Sequence, residues 1–347
     1  MKHFKMFRRL LTGVVLSSSL IPLNALAWGP LGHRIVAETA TLIMQNNDPE
    51  LGGFLSRHRF ELGYYAFLPD SLFRHGEGKS IEPSTHFFDI DRVLKKTPTQ
   101  DSRDEDLKTL AAVPVSYKKF AEKFPDTGSA PWRVEQFLKS TVQTLEPVKK
   151  LKGTYQSGWI DPDGAGRLFR SLVYLGLMAH YTGDAAMPYH ATSDFNGIKT
   201  GQKGIHFYFE GDCINALEPG LSTDVLAEAL KNEKVWLKSW DAAKMTSIQL
   251  MFRVFYDSFL KISEVAKVDK ESAVLAASSE RVTRKKPKDG CPAFRPLLVE
   301  QLAKGSVLTA YLWSTVLHEK INFSEATELQ FSDIDTSPKY PMPDYLN

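Results

Sequence analysis

The segment from His180 to His190 constrains the fold more than any other part of the chain, because it places potential metal ligands directly after a strongly apolar run. Between Gly166 and Met178, apolar residues occupy nearly every side of a helical projection, which is typical of a buried helix. Such a helix would carry His180 into the protein interior. Asp184 follows four residues later on the same face, and a proline then lets His190 turn back towards both side chains.

A histidine and a carboxylate that converge on one point suit a divalent cation such as zinc. A single histidine near a helix end is more often a hydrogen-bonded interior group, so His180 alone would not indicate a metal site. The other histidines favour the metal. Five of the nine histidines lie in short segments that also hold a carboxylate or a candidate mature N-terminus, namely His33, His86, His180, His190 and His206.

The first 27 residues are expected to form a signal peptide. Four basic residues precede an apolar core, and Ala25-Leu26-Ala27 is a small-residue cleavage motif. Removal of this segment leaves 39 basic and 41 acidic residues, so the formal charge changes from +2 to −2. A nearly neutral protein gives no general argument for nucleic-acid binding. We predict a secreted or periplasmic protein in which residues 28–347 form one domain, with 318–347 as an extended C-terminal tail.

Cleavage after Ala27 would make Trp28 the first residue of the mature protein. A free α-amino group has a pKa near ~7.7–8.0 and can bind a metal together with its own carbonyl. A helix is expected to begin in the following Gly-Pro-Leu-Gly segment and to carry His33 in its first turn. Signal removal would then complete a metal site that the precursor lacks.

Three further segments hold candidate site residues. Asp70 follows a proline and, by itself, is more often a helix N-cap than a ligand. His86 and Asp89 lie among aromatic residues, beginning sixteen positions after Asp70. His206 and Glu210 are four residues apart, the spacing at which one helix can offer both side chains to one ion.

The remaining chain is predicted to be mainly helical, without sustained strand-type alternation. Helices are expected over 134–145, 221–229, 246–268 and 295–317, and irregular connections over 51–70, 95–106 and 153–166. A basic run between 281 and 288 is usually a solvated loop but could contact anionic groups. Cys213 and Cys291 either pair in an oxidising compartment or remain buried thiols.

Together, these segments resemble the superfamily of secreted zinc-dependent phospholipases C and single-strand-specific nucleases. The resemblance rests on Trp28-Gly-x-x-Gly-His33, an isolated Asp70, His86-Phe-x-Asp89, His180-x-x-x-Asp184-x-x-x-x-x-His190 and His206-x-x-x-Glu210. It extends from Trp28 to Glu210, with a weaker likeness near 305–313. The resemblance implies a mainly α, single-domain, multi-helix fold with a cleft that holds three zinc ions per chain.

The resemblance also implies which groups hold each ion. The amino group and carbonyl of Trp28 would hold one zinc with His33; Asp70, His86 and His180 would hold a second, with Asp184 bridging these two; and His190, His206 and Glu210 would hold the third. A water shared by two close zinc ions has a pKa near ~7 and can attack a phosphodiester as hydroxide. Asp89 would orient this water.

The substrate class divides this superfamily. The start Trp28-Gly-x-x-Gly-His33 is similar to the nucleases, whereas the sixteen-residue step from His190 to His206 and the glutamate at 210 are closer to the phospholipases. We therefore predict a zinc-dependent phosphoric ester hydrolase, a phospholipase C that cleaves glycerophospholipids such as phosphatidylcholine to diacylglycerol and a phosphorylated headgroup.

Phospholipase C activity would bring transient contact with a membrane surface, and no obligate protein partner is indicated. One alternative is a single-strand-specific nuclease or 3′-nucleotidase of the same superfamily, with single-stranded nucleic acid as substrate. Another, from a different functional class, is an exported zinc-binding protein without turnover.

Overall fold

The structure is a computed structural model that describes residues 28–150, 162–278, 281–317 and 338–346. The expected mainly helical class is confirmed, because these residues form α-helices joined by short 3-10 and π-helical turns and one small hairpin. The expected signal peptide, residues 153–161 of the expected connection and the first part of the C-terminal tail lie outside the described residues. The rest of that connection, 162–166, is helical rather than irregular. Within the described ranges, no helix has the length and apolar character needed to cross a membrane.

The helices follow one another with short connections. In chain order they are α1 Gly29–Asn47, α2 Pro49–Arg57, α3 Arg59–Leu68, α4 Ile90–Leu94, α5 Arg103–Ala111, α6 Tyr117–Lys123, α7 Ala130–Lys150, α8 Pro162–Ala185, α9 Ile205–Phe207, α10 Cys213–Leu217, α11 Leu221–Ser239, α12 Ser247–Phe259, α13 Ile262–Val268, α14 Pro287–Gly290 and α15 Arg295–Leu317. The hairpin pairs β1 Val274–Ala277 antiparallel with β2 Val282–Arg284.

Helix α8 lies at the centre of the fold, as its apolar sequence predicts. It packs against α1, α3, α7, α12 and α15, and from Ser171 to Asp184 every residue except Tyr174 is buried. Gly176 allows α3 to approach closely, since a Cβ at this position would lie only 2.5 Å from the Cβ of Tyr65. The close contact holds the end of α3, and therefore the residues that follow it, against the middle of α8.

Helices α1 and α15 pack against α8 near its C-terminal end. A Cβ at Gly305 of α15 would lie 3.3 Å from the Cα of Gly183, so the two backbones are nearly in contact. The Thr182 and Thr309 hydroxyls are 2.6 Å apart, and the Gln301 side-chain amide donates to the Ala186 carbonyl at 2.6 Å. These contacts fix the last turns of α8, which carry His180 and Asp184.

The expectation of an irregular connection over 51–70 is wrong, because this range is helical. Asp48 caps α2 by accepting a hydrogen bond from the Leu51 amide at 3.1 Å, and Pro49 occupies the first turn. The aromatic residues that suggested a loop are divided between the two sides of α2 and α3. Phe54 and Tyr65 face the core, whereas Phe60 is exposed.

The expected flexible loop over 95–106 is only partly correct. Helix α5 begins at Arg103, and Asp106 is buried, where it accepts hydrogen bonds from Ser102 at 2.6 Å and Tyr256 at 2.9 Å. Lys96 binds the same carboxylate at 2.6 Å. Through Asp106, residues 95–106 are therefore bound to the buried Tyr256 of α12.

The four expected helices are present, three of them with different bounds. The segment 134–145 lies within the longer α7, the segment 221–229 within α11, and α15 matches the expected 295–317. The expected helix over 246–268 is divided into α12 and α13 at Leu260 and Lys261. Thr246 and Gln249 begin α12 with a capping box.

Two features left open by the sequence are settled in the C-terminal half. Cys213 and Cys291 form a disulfide bond, which links α10 to the segment before α15. The basic run is not simply a solvated loop, because Arg284 lies on β2 and donates to the buried Asp269 carboxylate at 2.7 Å. Its guanidinium also donates to the Gln202 carbonyl at 2.8 Å, and this bond anchors the loop before α9.

Candidate metal centre

The eight predicted side-chain ligands are buried and surround the C-terminal end of α8. In chain order they are His33 on α1, Asp70 on a π-helical turn after α3, His86 after a short 3-10 turn, His180 and Asp184 on α8, His190 at the end of a second 3-10 turn, His206 on α9 and Glu210 on a π-helical turn after α9. Asp70 and Glu210 both lie on π-helical turns, which are frequent at functional sites.

These side chains form three groups in which one donor atom from each residue lies within 4.8 Å of the others. The groups are His33, His180 and Asp184; Asp70, His86 and His180; and His190, His206 and Glu210. The second and third groups coincide with the ligand sets that the resemblance implied. The first differs, because His180 takes part in two groups.

Asp184 lies between the first two groups. Its Oδ2 atom is 3.1 Å from His86 Nδ1 and 3.3 Å from His180 Nε2, and its Oδ1 atom is 3.6 Å from His33 Nε2. One carboxylate therefore faces histidines of both groups with different oxygens. The bridging role expected for Asp184 is compatible with this position.

The third group consists of His190, His206 and Glu210. His206 Nε2 is 3.0 Å from Glu210 Oε2 and 3.1 Å from His190 Nε2, while His190 Nε2 is 3.9 Å from the same oxygen. Two imidazole nitrogens and a carboxylate oxygen therefore converge on one small volume. His206 and Glu210 belong to an α-helix and the π-helical turn that continues it, and their role as ligands of one ion stays a prediction.

Three of the histidines are oriented by backbone carbonyls. His180 Nδ1 lies 2.7 Å from the Ala66 carbonyl oxygen, His190 Nδ1 lies 2.7 Å from that of His86, and His206 Nδ1 lies 2.8 Å from that of Phe195. A carbonyl can only accept, so each Nδ1 is the protonated donor. The Nε2 lone pair then points into the group, as it does in metal-binding histidines.

Burial shifts the pKa values of these groups in opposite directions. It lowers the pKa of His180 to about 3 and raises that of Asp184 to about 6. Burial likewise lowers the pKa of His190 and raises those of Asp70 and Glu210. Burial therefore favours the neutral, metal-binding form of His180 and His190, and a bound cation would favour the charged form of the three carboxylates.

The donor set fits a divalent metal. Asp70 Oδ2, Asp184 Oδ1 and Glu210 Oε1 are buried and accept no hydrogen bond from the part of the chain that the structure describes. Proteins rarely leave such atoms without a partner. Imidazole nitrogens combined with carboxylate oxygens suit zinc better than magnesium or calcium. The residues present therefore fit a zinc centre, and the expected number of three ions stays a prediction.

Trp28 lies beside these groups, but its nitrogen contacts the third group rather than His33. The Trp28 N–H donates to Glu210 Oε2 at 3.0 Å, and the indole N–H donates to the Gly183 carbonyl at 2.6 Å. The Trp28 carbonyl accepts from the Gly32 amide at 3.1 Å at the start of α1. The structure therefore brings Trp28 to the centre, and its role as a ligand through a free amino group stays a prediction.

A cleft of about 530 Å³ opens beside the second and third groups, and His86, His190 and His206 line it. Asp89 lies on its wall, where Arg92 Nε is 3.1 Å from the carboxylate. Burial and the neighbouring charge of Asp91 raise the pKa of Asp89 to about 7. Such a carboxyl group can accept or hold a proton near neutral pH.

Sequence reasoning missed two residues that contact the groups. Arg74 Nη1 lies 3.2 Å from Asp70 Oδ1 and lines the cleft, and Glu82 Oε1 lies 3.6 Å from His86 Nε2. Arg74 follows Asp70 by four residues, and Glu82 precedes His86 by four. The spacing that identified His206 and Glu210 would have identified both.

No family model matches the chain, and no curated protein matches it. Among solved structures, the chain is similar to the crystal structure of alpha-toxin of Clostridium perfringens isolated from the avian strain SWCP, with 15% sequence identity and a TM-score of 0.40. The alignment covers 85% of this chain and 66% of that chain, so the chain spans about two thirds of the length of the toxin structure. A likeness at this TM-score and identity does not assign a family or a function.

Proposed function

We propose that this protein is a zinc-dependent phosphoric ester hydrolase that acts on phosphodiesters after export. The observation that carries the proposal is the convergence of three buried histidine and carboxylate groups beside a cleft whose walls also carry cationic side chains. Arg74, Lys79 and Arg92 line that cleft. Metal ions and cationic side chains both stabilise the negative charge that develops in phosphodiester hydrolysis.

The positions of Asp184, Asp89 and Arg74 suggest a different role for each side chain. Asp184 would fix the separation of two ions, because its two oxygens face different groups. When bound, zinc ions lower the pKa of a coordinated water and stabilise the negative charge that develops on the phosphate. Asp89 would accept a proton from, or orient, the attacking water. Arg74 would bind a phosphate oxygen, since Asp70 holds its guanidinium at the edge of the cleft.

We propose a phospholipase C as the specific activity. The glutamate at 210 and the sixteen-residue step between His190 and His206 support this choice over a nuclease. The loop before α9 also suits a lipid surface. Phe195 and Ile198 are 54% and 61% exposed there, and Lys199 and Lys203 are exposed in the same loop. Apolar and basic side chains together favour transient contact with phospholipid headgroups.

Cleavage of single-stranded nucleic acid is the second candidate. Phe195 lines the cleft with an exposed ring, on which a base could stack, and three cationic side chains could follow a phosphate backbone. The two candidates differ in their dependence on Ile198, which does not line the cleft. Ile198 should matter for a membrane surface but not for a base in the cleft.

Purified protein with zinc should be assayed on phosphatidylcholine vesicles, single-stranded DNA and a 3′-nucleotide. Release of diacylglycerol supports the phospholipase C, and acid-soluble nucleotide or free phosphate supports the second candidate. Bound zinc without turnover on any of these substrates would refute the hydrolase.

Variants of the loop refine the choice between the two candidates. Ile198→Ser should lower activity on vesicles while leaving activity on a soluble short-chain phospholipid unchanged. Phe195→Ala should lower cleavage of DNA if the second candidate is correct. Val235→Ser on α11 is a matched control, because Val235 is 62% exposed and does not line the cleft.

A further inference from the structure

His86 differs from the other histidines of the centre in how it is oriented. Its Nδ1 atom faces the interior of the group, 2.8 Å from His180 Nε2, and its Nε2 atom points the other way. Beyond Nε2 lies the carboxylate of Glu82, at 3.6 Å, where His180, His190 and His206 each have a backbone carbonyl. A carboxylate behind a metal-binding histidine fixes the ring and makes it a stronger ligand.

Glu82 is held by three side chains from distant parts of the sequence. Arg133 Nη2 donates to Oε2 at 3.2 Å, the Tyr340 hydroxyl donates to the same oxygen at 2.7 Å, and the Tyr181 hydroxyl donates to Oε1. Glu82, Arg133 and Tyr181 have no exposed surface, and Tyr340 is buried. The carboxyl group of Glu82 is therefore held in place by one guanidinium and two hydroxyl donors.

Tyr340 belongs to the C-terminal segment 338–346, which is bound along α7. Arg133 Nη1 donates to the Pro341 carbonyl at 2.5 Å, and the Gln136 side-chain amide donates to the Met342 carbonyl at 2.6 Å. The Tyr345 hydroxyl lies 3.1 Å from Ser129 Oγ. These bonds make 338–346 a packed strap and place the Tyr340 hydroxyl at the carboxylate behind His86.

The ring of Tyr340 is also enclosed. It meets Phe73, on the π-helical turn that carries Asp70, with ring centres 5.2 Å apart. A Cβ at Gly78 would lie 2.7 Å from the Tyr340 ring. The strap therefore contacts the segments that supply two residues of the second group, Asp70 and His86.

We propose that the C-terminal strap supports metal binding by the second group. Tyr340 fixes Glu82, and Glu82 fixes the His86 ring so that Nδ1 points at the ion held by the second group. Tyr340 and Glu82 are thus positioning residues for metal binding. The proposal requires the metal centre but not any particular substrate, so it stands even if the phosphodiesterase activity is not found.

The sharpest test compares Tyr340→Phe with Tyr345→Phe. Both remove one hydroxyl from the same strap, but only the Tyr340 hydroxyl touches Glu82. Zinc affinity is measured by competition with a chelating dye, and the absorption spectrum of the cobalt-substituted protein reports ligand geometry. Loss of a direct outer partner of a ligand typically costs about 10–100-fold in metal affinity, so Tyr340→Phe, one bond further out, should cost roughly 3–10-fold for one ion. Tyr345→Phe should match the wild type.

Two further variants keep the test decisive if one of them does not fold. Glu82→Gln should weaken binding of one ion by about 10–100-fold. Gly78→Ala should displace the Tyr340 ring and reproduce the altered cobalt spectrum of Tyr340→Phe. Equal affinity and identical spectra for wild type, Tyr340→Phe and Gly78→Ala would overturn the proposal. A loss shared equally by Tyr340→Phe and Tyr345→Phe would also overturn it, because the strap would then act only through stability.

Discussion

Replacement of Asp184 by asparagine tests the organisation of the whole centre. Asp184 is fully buried and its oxygens lie 3.1–3.6 Å from His86, His180 and His33. Asparagine has the same shape but no charge. If one carboxylate offsets the charge of two ions, this substitution should lower the affinity for both, whereas a change in a ligand of a single group, such as Glu210, should affect one ion first.

The magnitude follows from the position of the charge. A unit charge about 4 Å from each unit of cation charge contributes about 4 kcal/mol when the effective dielectric constant is about 20. Each zinc ion carries two units of charge, so even half of its interaction with the carboxylate would change zinc affinity by about 10³-fold, because ~1.4 kcal/mol corresponds to a factor of ten. Turnover should fall at least in proportion to the loss of bound ions at limiting zinc.

The sign of the stability change gives a second readout. Burial raises the pKa of Asp184 to about 6 in the folded, metal-free protein. The unfolded chain therefore loses this proton at a lower pH than the folded protein, and the free energy of unfolding decreases as the pH rises from the usual carboxyl pKa to about 6. At pH 8, Asp184→Asn should therefore be at least as stable as the wild type without zinc, and less stable than the wild type with zinc. Asp101→Asn, in an exposed turn, is the control for removal of one charge.

Thermal unfolding with and without zinc, elemental analysis and kinetics together decide the outcome. Full zinc content and near-normal turnover in Asp184→Asn would show that Asp184 does not bridge two ions. The same conclusion would follow if Asp184→Asn lost stability equally with and without zinc, because the side chain would then matter only for packing.

Other perturbations test single parts of the centre. Asp89→Asn should lower turnover by about 10–100-fold. Because the pKa of Asp89 is raised to about 7, wild-type activity should fall as the pH drops through 7. The pH profile of the variant should lack this decrease in activity. Glu210→Asp keeps the charge beside His206, so elemental analysis and kinetics should show a smaller loss than for Asp184→Asn. Extra residues before Trp28 keep its nitrogen an amide, so zinc analysis of an extended variant should show one ion fewer than in a chain that begins at Trp28, with most activity lost; full activity in the extended variant would contradict this.

The central helix and its ligands could be predicted because local rules determine them. The apolar run before His180 requires burial, and a helix places Asp184 on the same face four residues later. His206 and Glu210 follow the same rule. None of these residues needs a distant partner to be recognised, and the structure brings all of them together at the end of α8.

The helices over 51–70 were missed for a different reason. Aromatic residues on both sides of a short helix obscure its periodicity, and the stronger signal is the Asp48–Pro49 start of α2.

The network around Glu82 could not be predicted for another reason. Its partners Arg133 and Tyr340 are 51 and 258 residues away, so nothing in the neighbouring sequence marks Glu82 as buried. Only the spacing to His86 gave a local indication.

The contrast between Glu82 and the other buried acids shows how the centre uses its charges. Glu82 is fully paired with donors from Arg133, Tyr181 and Tyr340, so it stays ionised without any ion. Asp70 and Glu210 are also fully buried, but burial dominates and raises their pKa values. The protein therefore pairs Glu82 with its own side chains, whereas the charges of Asp70 and Glu210 would be balanced by a cation. An apolar core around α8 can hold this many ionisable groups because binding of the metal stabilises their charged forms.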